Sequence, residues 1–174
     1  SDIAPKPATL DMCQAAAVPL AALTAWQAFV ERAKLRPGQK VLIHAGSGGV
    51  GTFAIQIASH LGALVATTTS TANVDWVRAL GADLVVDYRK QDFTELLRDY
   101  DLVLDTLGGK ALEQSVGVLR PGGRIVSISG PPDPAFAKEI GANWLLTVAM
   151  FFMSLGIRLR ADARRASYEF FFMR

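Results

Sequence analysis

The chain has 174 residues, of which 51% are hydrophobic and 20% charged, and its formal net charge is +2. That length suits one ordinary domain with a sizeable core, and so small a charge gives no reason to expect a nucleic-acid or membrane partner. The single cysteine, Cys13, rules out an intramolecular disulfide framework and a cysteine-rich zinc site, and it fits a reducing cytoplasm. The apolar excess predicts surface that another domain or subunit covers.

Neither end of the chain predicts export or a membrane anchor. Residues 1–7 lack a basic stretch followed by an apolar one, so no secretory signal is expected. The longest apolar run, Trp144–Ile157, has 14 residues. A membrane span needs roughly 20, so we expect a buried or interface helix there and a cytoplasmic protein.

The segment before residue 39 predicts two helical pieces. Thr9 is placed to cap a short turn of helix before Pro19. Leu20–Ala33 then has the apolar face of a strong helix, which Pro37-Gly38 ends.

From residue 40 onward, short apolar strands alternate with helices. The predicted strands are Lys40–Ala45, Leu64–Thr68, Leu84–Asp87, Leu102–Asp105, Arg124–Ile128 and Ser167–Met173. The predicted helices are Gly49–Leu61, Ala72–Leu80, Phe93–Arg98, Gly109–Leu119 and a long region from Ala135 to about Leu159. The pattern predicts an α/β fold, a Rossmann doubly wound six-stranded parallel sheet in the order 3-2-1-4-5-6 with helices on both faces.

A glycine motif follows the first predicted strand directly. Gly46-x-Gly48-x-x-Gly51 stands between that strand and the next helix, which is the context of a dinucleotide-binding turn. The first glycine allows a tight turn, the second lets the backbone approach a pyrophosphate, and the third lets helix and strand pack closely. The helix N-terminus then offers N–H groups to the phosphates. A purely structural glycine turn is the alternative.

The end of the second predicted strand bears on the choice between NADP and NAD. NAD-binding proteins usually place Asp or Glu there to hold the ribose 2′-hydroxyl, and residues 66–71 contain no acid. Hydroxyl groups accept a 2′-phosphate that a carboxylate would repel, so we favour NADP over NAD. The other interpretation is that Thr67 and Thr68 are β-formers, and that Ser70 or Thr71 caps the next helix.

Three motifs together resemble the cofactor domain of zinc-free medium-chain dehydrogenases/reductases, and within them the NADPH:quinone oxidoreductase group, which includes alkenal and enone reductases. They are Ala17–Ala28, the His44–Gly51 turn, and Leu80–Asp83 with Asp87-Tyr88-Arg89. The resemblance covers essentially the whole chain. It implies reduction of a small quinone or an α,β-unsaturated carbonyl by hydride from NADP(H).

The resemblance also implies a set of cofactor-binding residues and no catalytic or metal-binding residue. Those residues are Thr24, Gly46, Ser47, Gly48, Gly49, Val50, Gly51, Thr68, Thr69, Ser70, Asn73, Tyr88, Leu107, Gly108, Ser127, Ile128 and Ser129. Asn73 stands where the family commonly has a lysine for the 2′-phosphate, and Arg89 or Lys90 is the candidate replacement. Phe151 and Phe152 line the cleft or pack in the core.

The same resemblance predicts what accompanies this chain. Residues 1–38 would be the linker and helix entering from a missing N-terminal GroES-like domain. Residues 39–174 would be the Rossmann NADP(H)-binding domain, ending before the return to the catalytic domain. A homodimer through the edge strand Tyr168–Phe172 is expected. An enoyl-reductase module of a multidomain synthase and a non-catalytic NADP(H) sensor remain alternatives.

Overall fold

The computed structural model describes residues 4–173, in which six strands form one parallel sheet. The strands are Lys40–Ile43 (β1), Leu64–Thr69 (β2), Leu84–Asp87 (β3), Tyr100–Asp105 (β4), Leu119–Ser127 (β5) and Ser167–Phe170 (β6). Their order is β3-β2-β1-β4-β5-β6, and every neighbouring pair is parallel. The predicted doubly wound Rossmann fold is therefore confirmed, with the order reversing between β1 and β4.

Helices cover both faces of this sheet. They are Met12–Trp26 (α1), Gly49–His60 (α2), Val74–Ala79 (α3), Phe93–Leu96 (α4), Gly109–Ser115 (α5), Pro134–Glu139 (α6) and Trp144–Ala163 (α7). On one face Phe29 and Ile55 pack with Ile43, and on the other Ile157 packs with Leu42. Successive β1 side chains alternate between the two cores because side chains along a strand point to opposite faces.

The first helix is longer than predicted and begins at another cap. The Asp11 carboxylate accepts a hydrogen bond from the Gln14 N–H at 2.7 Å, and the Gln14 side chain accepts one from the Asp11 N–H at 3.0 Å. This capping box starts α1 at Met12, so Thr9 is not the cap. Pro19 lies inside the helix on an exposed turn, and the predicted break before Leu20 is wrong. A π-helical segment, Gln27–Arg32, continues α1.

The long helical region after residue 134 is divided in two. Gly141 has a φ of +67° just past α6, and the Asn143 side chain accepts a hydrogen bond from the Leu146 N–H at 2.9 Å to start α7. The predicted helical region therefore contains two helices. Strand β5 begins at Leu119, five residues earlier than predicted, since the Pro121-Gly122-Gly123 segment belongs to it.

Within residues 4–173, two helices are long and apolar enough to cross a membrane by length and composition alone, namely Met12–Arg32 and Trp144–Ala163. The predicted argument that the second is too short is wrong, since α7 has 20 residues. Each of these helices nevertheless contributes to a core of the sheet, through Phe29 and through Ile157. Each also exposes apolar side chains, such as Met12 at 74% and Phe152 at 66%, so Phe152 is not a core residue.

Candidate functional site

The glycine turn joins β1 to α2 and is packed too tightly for side chains. A Cβ on Gly46 would collide with the hydroxyl of Thr67, and a Cβ on Gly51 would collide with the carbonyl oxygen of Ala45. The Gly46 N–H donates to the Thr68 carbonyl at 2.9 Å, which ties the turn to β2. The first N–H groups of α2 have no intrahelical partner, as in any helix, and the N-cap residue Gly48 makes no side-chain capping bond.

A cleft of about 280 Å³ lies beside this turn, at the carboxyl ends of the strands. Its lining comes from four separate segments of the chain: Ala45, Ser47, Thr68, Thr69, Ser70, Tyr88 and Leu107. All of them except Ala45 were predicted from the sequence to bind the cofactor. The fold therefore brings these predicted residues together at the place where a doubly wound sheet binds its ligand.

Thr69 carries a polar atom that the protein itself leaves unsatisfied. The residue is 1% exposed, and its hydroxyl oxygen has no hydrogen-bond partner among residues 4–173. A buried hydroxyl without a partner costs free energy, so such atoms are rare unless a ligand or water satisfies them. The neighbouring threonine hydroxyls are both engaged: Thr67 donates to the Ile43 carbonyl at 2.7 Å, and Thr68 contacts His44.

Ser70 and Asn73 form a second polar element at the rim of the cleft. The Asn73 amide donates to the Ser70 hydroxyl oxygen at 3.1 Å, and its own oxygen accepts from the Trp76 indole N–H at 3.0 Å. Ser70 occupies the N-cap position of the following turn, Thr71–Asn73, but its side chain makes no capping bond there. Since its oxygen already accepts from Asn73, the Ser70 proton is oriented for donation elsewhere.

The acid nearest to the end of β2 is Asp87, which pairs with Thr69 in the sheet register. Its carboxylate accepts from the Thr71 hydroxyl at 2.6 Å and from the Arg89 N–H at 3.0 Å, and the Lys90 ammonium lies 3.8 Å away. The Thr71 hydrogen bond, opposed by desolvation, lowers the pKa of Asp87. Thr71 thus serves Asp87 and is not a helix cap. The negative charge at this edge of the sheet is compensated by neighbouring groups.

Two loops on the other side of the switch point are held by one buried acid. Asp105 is 0% exposed and accepts from the Ser127 hydroxyl at 2.6 Å and the Gly108 N–H at 3.0 Å. The Ser129 hydroxyl donates to the Thr106 carbonyl at 3.0 Å, which connects the same two loops. Asp105 therefore fixes the loops that carry the predicted nicotinamide-side residues Leu107, Gly108, Ser127, Ile128 and Ser129.

Thr24 stands apart from the cleft beside the glycine turn. It is 5% exposed on α1, and its hydroxyl donates to the Leu20 carbonyl at 2.7 Å. It does not line that cleft, so its assignment to the nicotinamide stays a prediction.

His44 is a buried histidine directly after β1, beside the glycine turn. It is 1% exposed, and each ring nitrogen has a hydroxyl partner: Thr68 at 3.2 Å and Ser115 at 2.7 Å. Burial lowers the pKa of His44 to about 4, against the opposing effect of the nearby Asp105 carboxylate. The ring is therefore neutral near pH 7. No group of three His, Cys, Asp or Glu side chains converges within residues 4–173.

The comparisons with known proteins agree with this geometry. A family model described as zinc-binding dehydrogenase matches residues 49–153. The chain is 47% identical over 132 residues to polyketide synthase GfsB of Streptomyces halstedii. The matched segment covers 75% of this chain and 2% of that protein. It is 40% identical over 134 residues to the chloroplastic NADPH-dependent alkenal/one oxidoreductase of Arabidopsis thaliana, covering 76% of this chain and 34% of that protein.

Solved structures show the same relationship over nearly the whole chain. The quinone oxidoreductase from Coxiella burnetii superposes with a TM-score of 0.79 at 31% identity, covering 98% of this chain and 47% of that one. The CurK enoyl reductase gives a TM-score of 0.79 at 31% identity, covering 97% and 47%. This chain therefore spans about half or less of the length of these proteins. Since the family model covers more than half of it, the chain belongs to the zinc-binding dehydrogenase family, alongside oxidoreductases of the medium-chain type.

Proposed function

We propose that this chain is the NADP(H)-binding domain of an oxidoreductase that reduces a carbon–carbon double bond conjugated to a carbonyl, as in an enone or a quinone. The observation that carries the cofactor assignment is the unsatisfied hydroxyl of Thr69, 1% exposed in a cleft next to the glycine turn. A 2′-phosphate in that cleft would give this hydroxyl an acceptor and remove the cost of leaving it unpaired.

The residues present fit the parts of NADP(H) in order. The pyrophosphate would lie on the backbone of the Gly46–Gly51 turn and the first turn of α2, where no side chain intervenes. The 2′-phosphate would accept from Thr69, Ser70 and Tyr88, which line one cleft. The loops fixed by Asp105 would border the nicotinamide ribose and ring.

The charges near the cleft favour a phosphate over a free ribose hydroxyl. The Asp87 carboxylate already binds the Thr71 hydroxyl, the main-chain N–H of Arg89 and the Lys90 ammonium, so it is not free to hold a 2′-hydroxyl. Lys90 is engaged by Asp87, whereas the Arg89 guanidinium has no carboxylate within ion-pair distance among residues 4–173. We assign Arg89 as the cation that compensates for Asn73 at the family's lysine position.

NADPH held by these residues would supply the hydride for such a reduction. The residues of this chain would contribute binding and orientation: the glycine turn would hold the central pyrophosphate, and the Asp105-linked loops would border the nicotinamide. None of these residues is assigned as a catalyst. Both ring nitrogens of His44 are hydrogen-bonded, and Cys13 is an exposed free thiol, so we propose chemistry without zinc.

An enoyl-reductase module of a polyketide synthase is the second candidate. The 47% identity with GfsB favours it, and the bond reduced would be of the same conjugated type. We further propose a cytoplasmic location. We also propose a homodimer through Tyr168–Phe172, because β6 is an edge strand and Phe172 is 64% exposed.

Parallel titrations of the 174-residue chain with NADPH and NADH test the cofactor assignment. Energy transfer from tryptophan to the dihydronicotinamide reports binding, and Trp76 is bonded to Asn73 at the cleft rim. We expect NADPH to bind at least about tenfold more tightly, the worth of one charge-assisted hydrogen bond. Equal affinities would contradict the 2′-phosphate assignment, and no binding of either would contradict a complete cofactor site on this chain.

A second assay, on the polypeptide that contains this chain with its flanking segments, separates the two substrate settings. Turnover of free enones and quinones supports the first proposal, whereas turnover restricted to enoyl thioesters supports the synthase module.

A further inference from the structure

His44 lies directly after β1, at the point where the strand order reverses. Its N–H donates to the Leu104 carbonyl of β4 at 3.1 Å. Its carbonyl accepts from the Thr106 hydroxyl at 3.0 Å, in the loop that follows β4. The main chain of His44 is thus bonded to the nicotinamide side of the crevice.

The side chain of His44 is hydrogen-bonded to β2 and α5. Nδ1 lies 3.2 Å from the Thr68 hydroxyl at the end of β2, and Nε2 lies 2.7 Å from the Ser115 hydroxyl on α5. The ring edge also packs against Phe93, with centroids 5.0 Å apart. One residue therefore contacts β2, β4 and α5, which together surround the switch point.

One arrangement of the hydrogen bonds around the ring gives both hydroxyl protons an acceptor. When the Ser115 hydroxyl donates to the Ala111 carbonyl at 2.7 Å, its oxygen accepts from His44 Nε2–H at 2.7 Å. Nδ1 then carries the lone pair and accepts from the Thr68 hydroxyl. The Thr68 oxygen in turn accepts from the Ala45 N–H at 3.2 Å. The tautomer follows from this network of partners.

Ala45 has a backbone conformation that needs such support. Its φ is +52°, in the left-handed region that a residue with a Cβ rarely adopts. Its N–H is held by Thr68 and its carbonyl accepts from the Gly48 N–H at 2.9 Å. Loss of the Thr68 hydroxyl would therefore remove a hydrogen bond that holds Ala45, the first residue of the glycine turn.

We propose that His44 is a positioning residue: its ring, as the uncharged Nε2–H tautomer, sets the glycine turn through Thr68 and Ala45, while its main-chain carbonyl holds the loop after β4 through Thr106. The role in cofactor binding rests on the proposed NADP(H) function. His44 touches neither substrate nor cofactor; it aligns the two groups of residues that do.

Ser115→Ala tests this from outside the cleft, because Ser115 lies on α5 and does not line it. Removing the acceptor of Nε2–H should shift the ring towards a mixture of tautomers, visible in the ¹⁵N spectrum of the imidazole. The NADPH dissociation constant should rise about 3- to 10-fold, as expected for one lost hydrogen bond. Amide exchange of Ala45 should accelerate.

His44→Phe and His44→Asn are the matched variants. Phenylalanine keeps the ring and removes both bonds, so Ser115→Ala should have no further effect on NADPH affinity in that background. Asparagine offers an acceptor near the Nδ1 position, so it should recover part of the lost affinity. An Nδ1–H tautomer in the wild-type chain, or equal effects of Ser115→Ala with and without His44, would overturn the inference.

Different measurements test the proposed function and the positioning role of His44. A chain that binds neither nucleotide contradicts the proposed function. The tautomer and the Ala45 exchange rate are read without ligand, and an unchanged tautomer and exchange rate in Ser115→Ala would contradict the positioning role.

Discussion

Thr69→Val is the substitution that best distinguishes a ligand-binding hydroxyl from a structural one. Valine keeps the shape and the strand preference of threonine and removes only the hydroxyl. Because that hydroxyl is buried with no partner among residues 4–173, its removal should leave the free energy of unfolding unchanged or raise it by about 1–2 kcal/mol. The same change should weaken NADPH binding by about 1.5–3 kcal/mol, or roughly 10- to 150-fold, and leave NADH binding nearly unchanged.

Thr67→Val is the matched control on the same strand. The Thr67 hydroxyl donates to the Ile43 carbonyl at 2.7 Å and does not line the cleft. Its loss should lower the free energy of unfolding by about 1 kcal/mol and leave the preference for NADPH over NADH intact. Urea unfolding measures the stability of both variants, and calorimetric titration measures their affinities. A loss of stability in Thr69→Val equal to that of the control, with unchanged NADPH affinity, would refute the reasoning.

Three further predictions concern the turn, the loops and pH. Gly51→Val should destabilise the chain by about 1–3 kcal/mol and abolish nucleotide binding, since the new Cβ meets the Ala45 carbonyl, and urea unfolding with titration measures both. Asp105→Asn should cost about 1–3 kcal/mol and accelerate exchange of the Gly108 amide, because one of its hydrogen bonds is lost. Unfolding free energy should fall by about 3 kcal/mol from pH 6.5 to 4, because the pKa of buried His44 is about 4 and the unfolded chain binds that proton first; His44→Phe should flatten this slope.

The fold could be predicted because its signals are local. The alternation of apolar strands and helices, with the glycine turn after β1, specifies a doubly wound sheet without knowledge of distant contacts. The helix boundaries that were predicted wrongly are set by capping residues. Asp11 started a helix through Pro19, and Asn143 started a second helix where the apolar pattern looked continuous.

The site was predicted only as a set of positions. Ser47, Thr69, Ser70 and Tyr88 were expected near the cofactor, and the fold gathers them in one cleft. That Thr69 is the threonine with an unsatisfied hydroxyl depends on the side-chain partners of its neighbours, which no local pattern reveals. The tautomer of His44 depends on Ser115, 71 residues away in the sequence.

We propose above all that the cleft lined by Thr69, Ser70 and Tyr88 holds the 2′-phosphate of NADP(H). The structure of the chain crystallised with NADP⁺ tests it most directly. We predict the 2′-phosphate within hydrogen-bond distance of the Thr69 hydroxyl, with the pyrophosphate on the glycine turn. A 2′-phosphate bound elsewhere, with the Thr69 hydroxyl still unpartnered, would contradict the account.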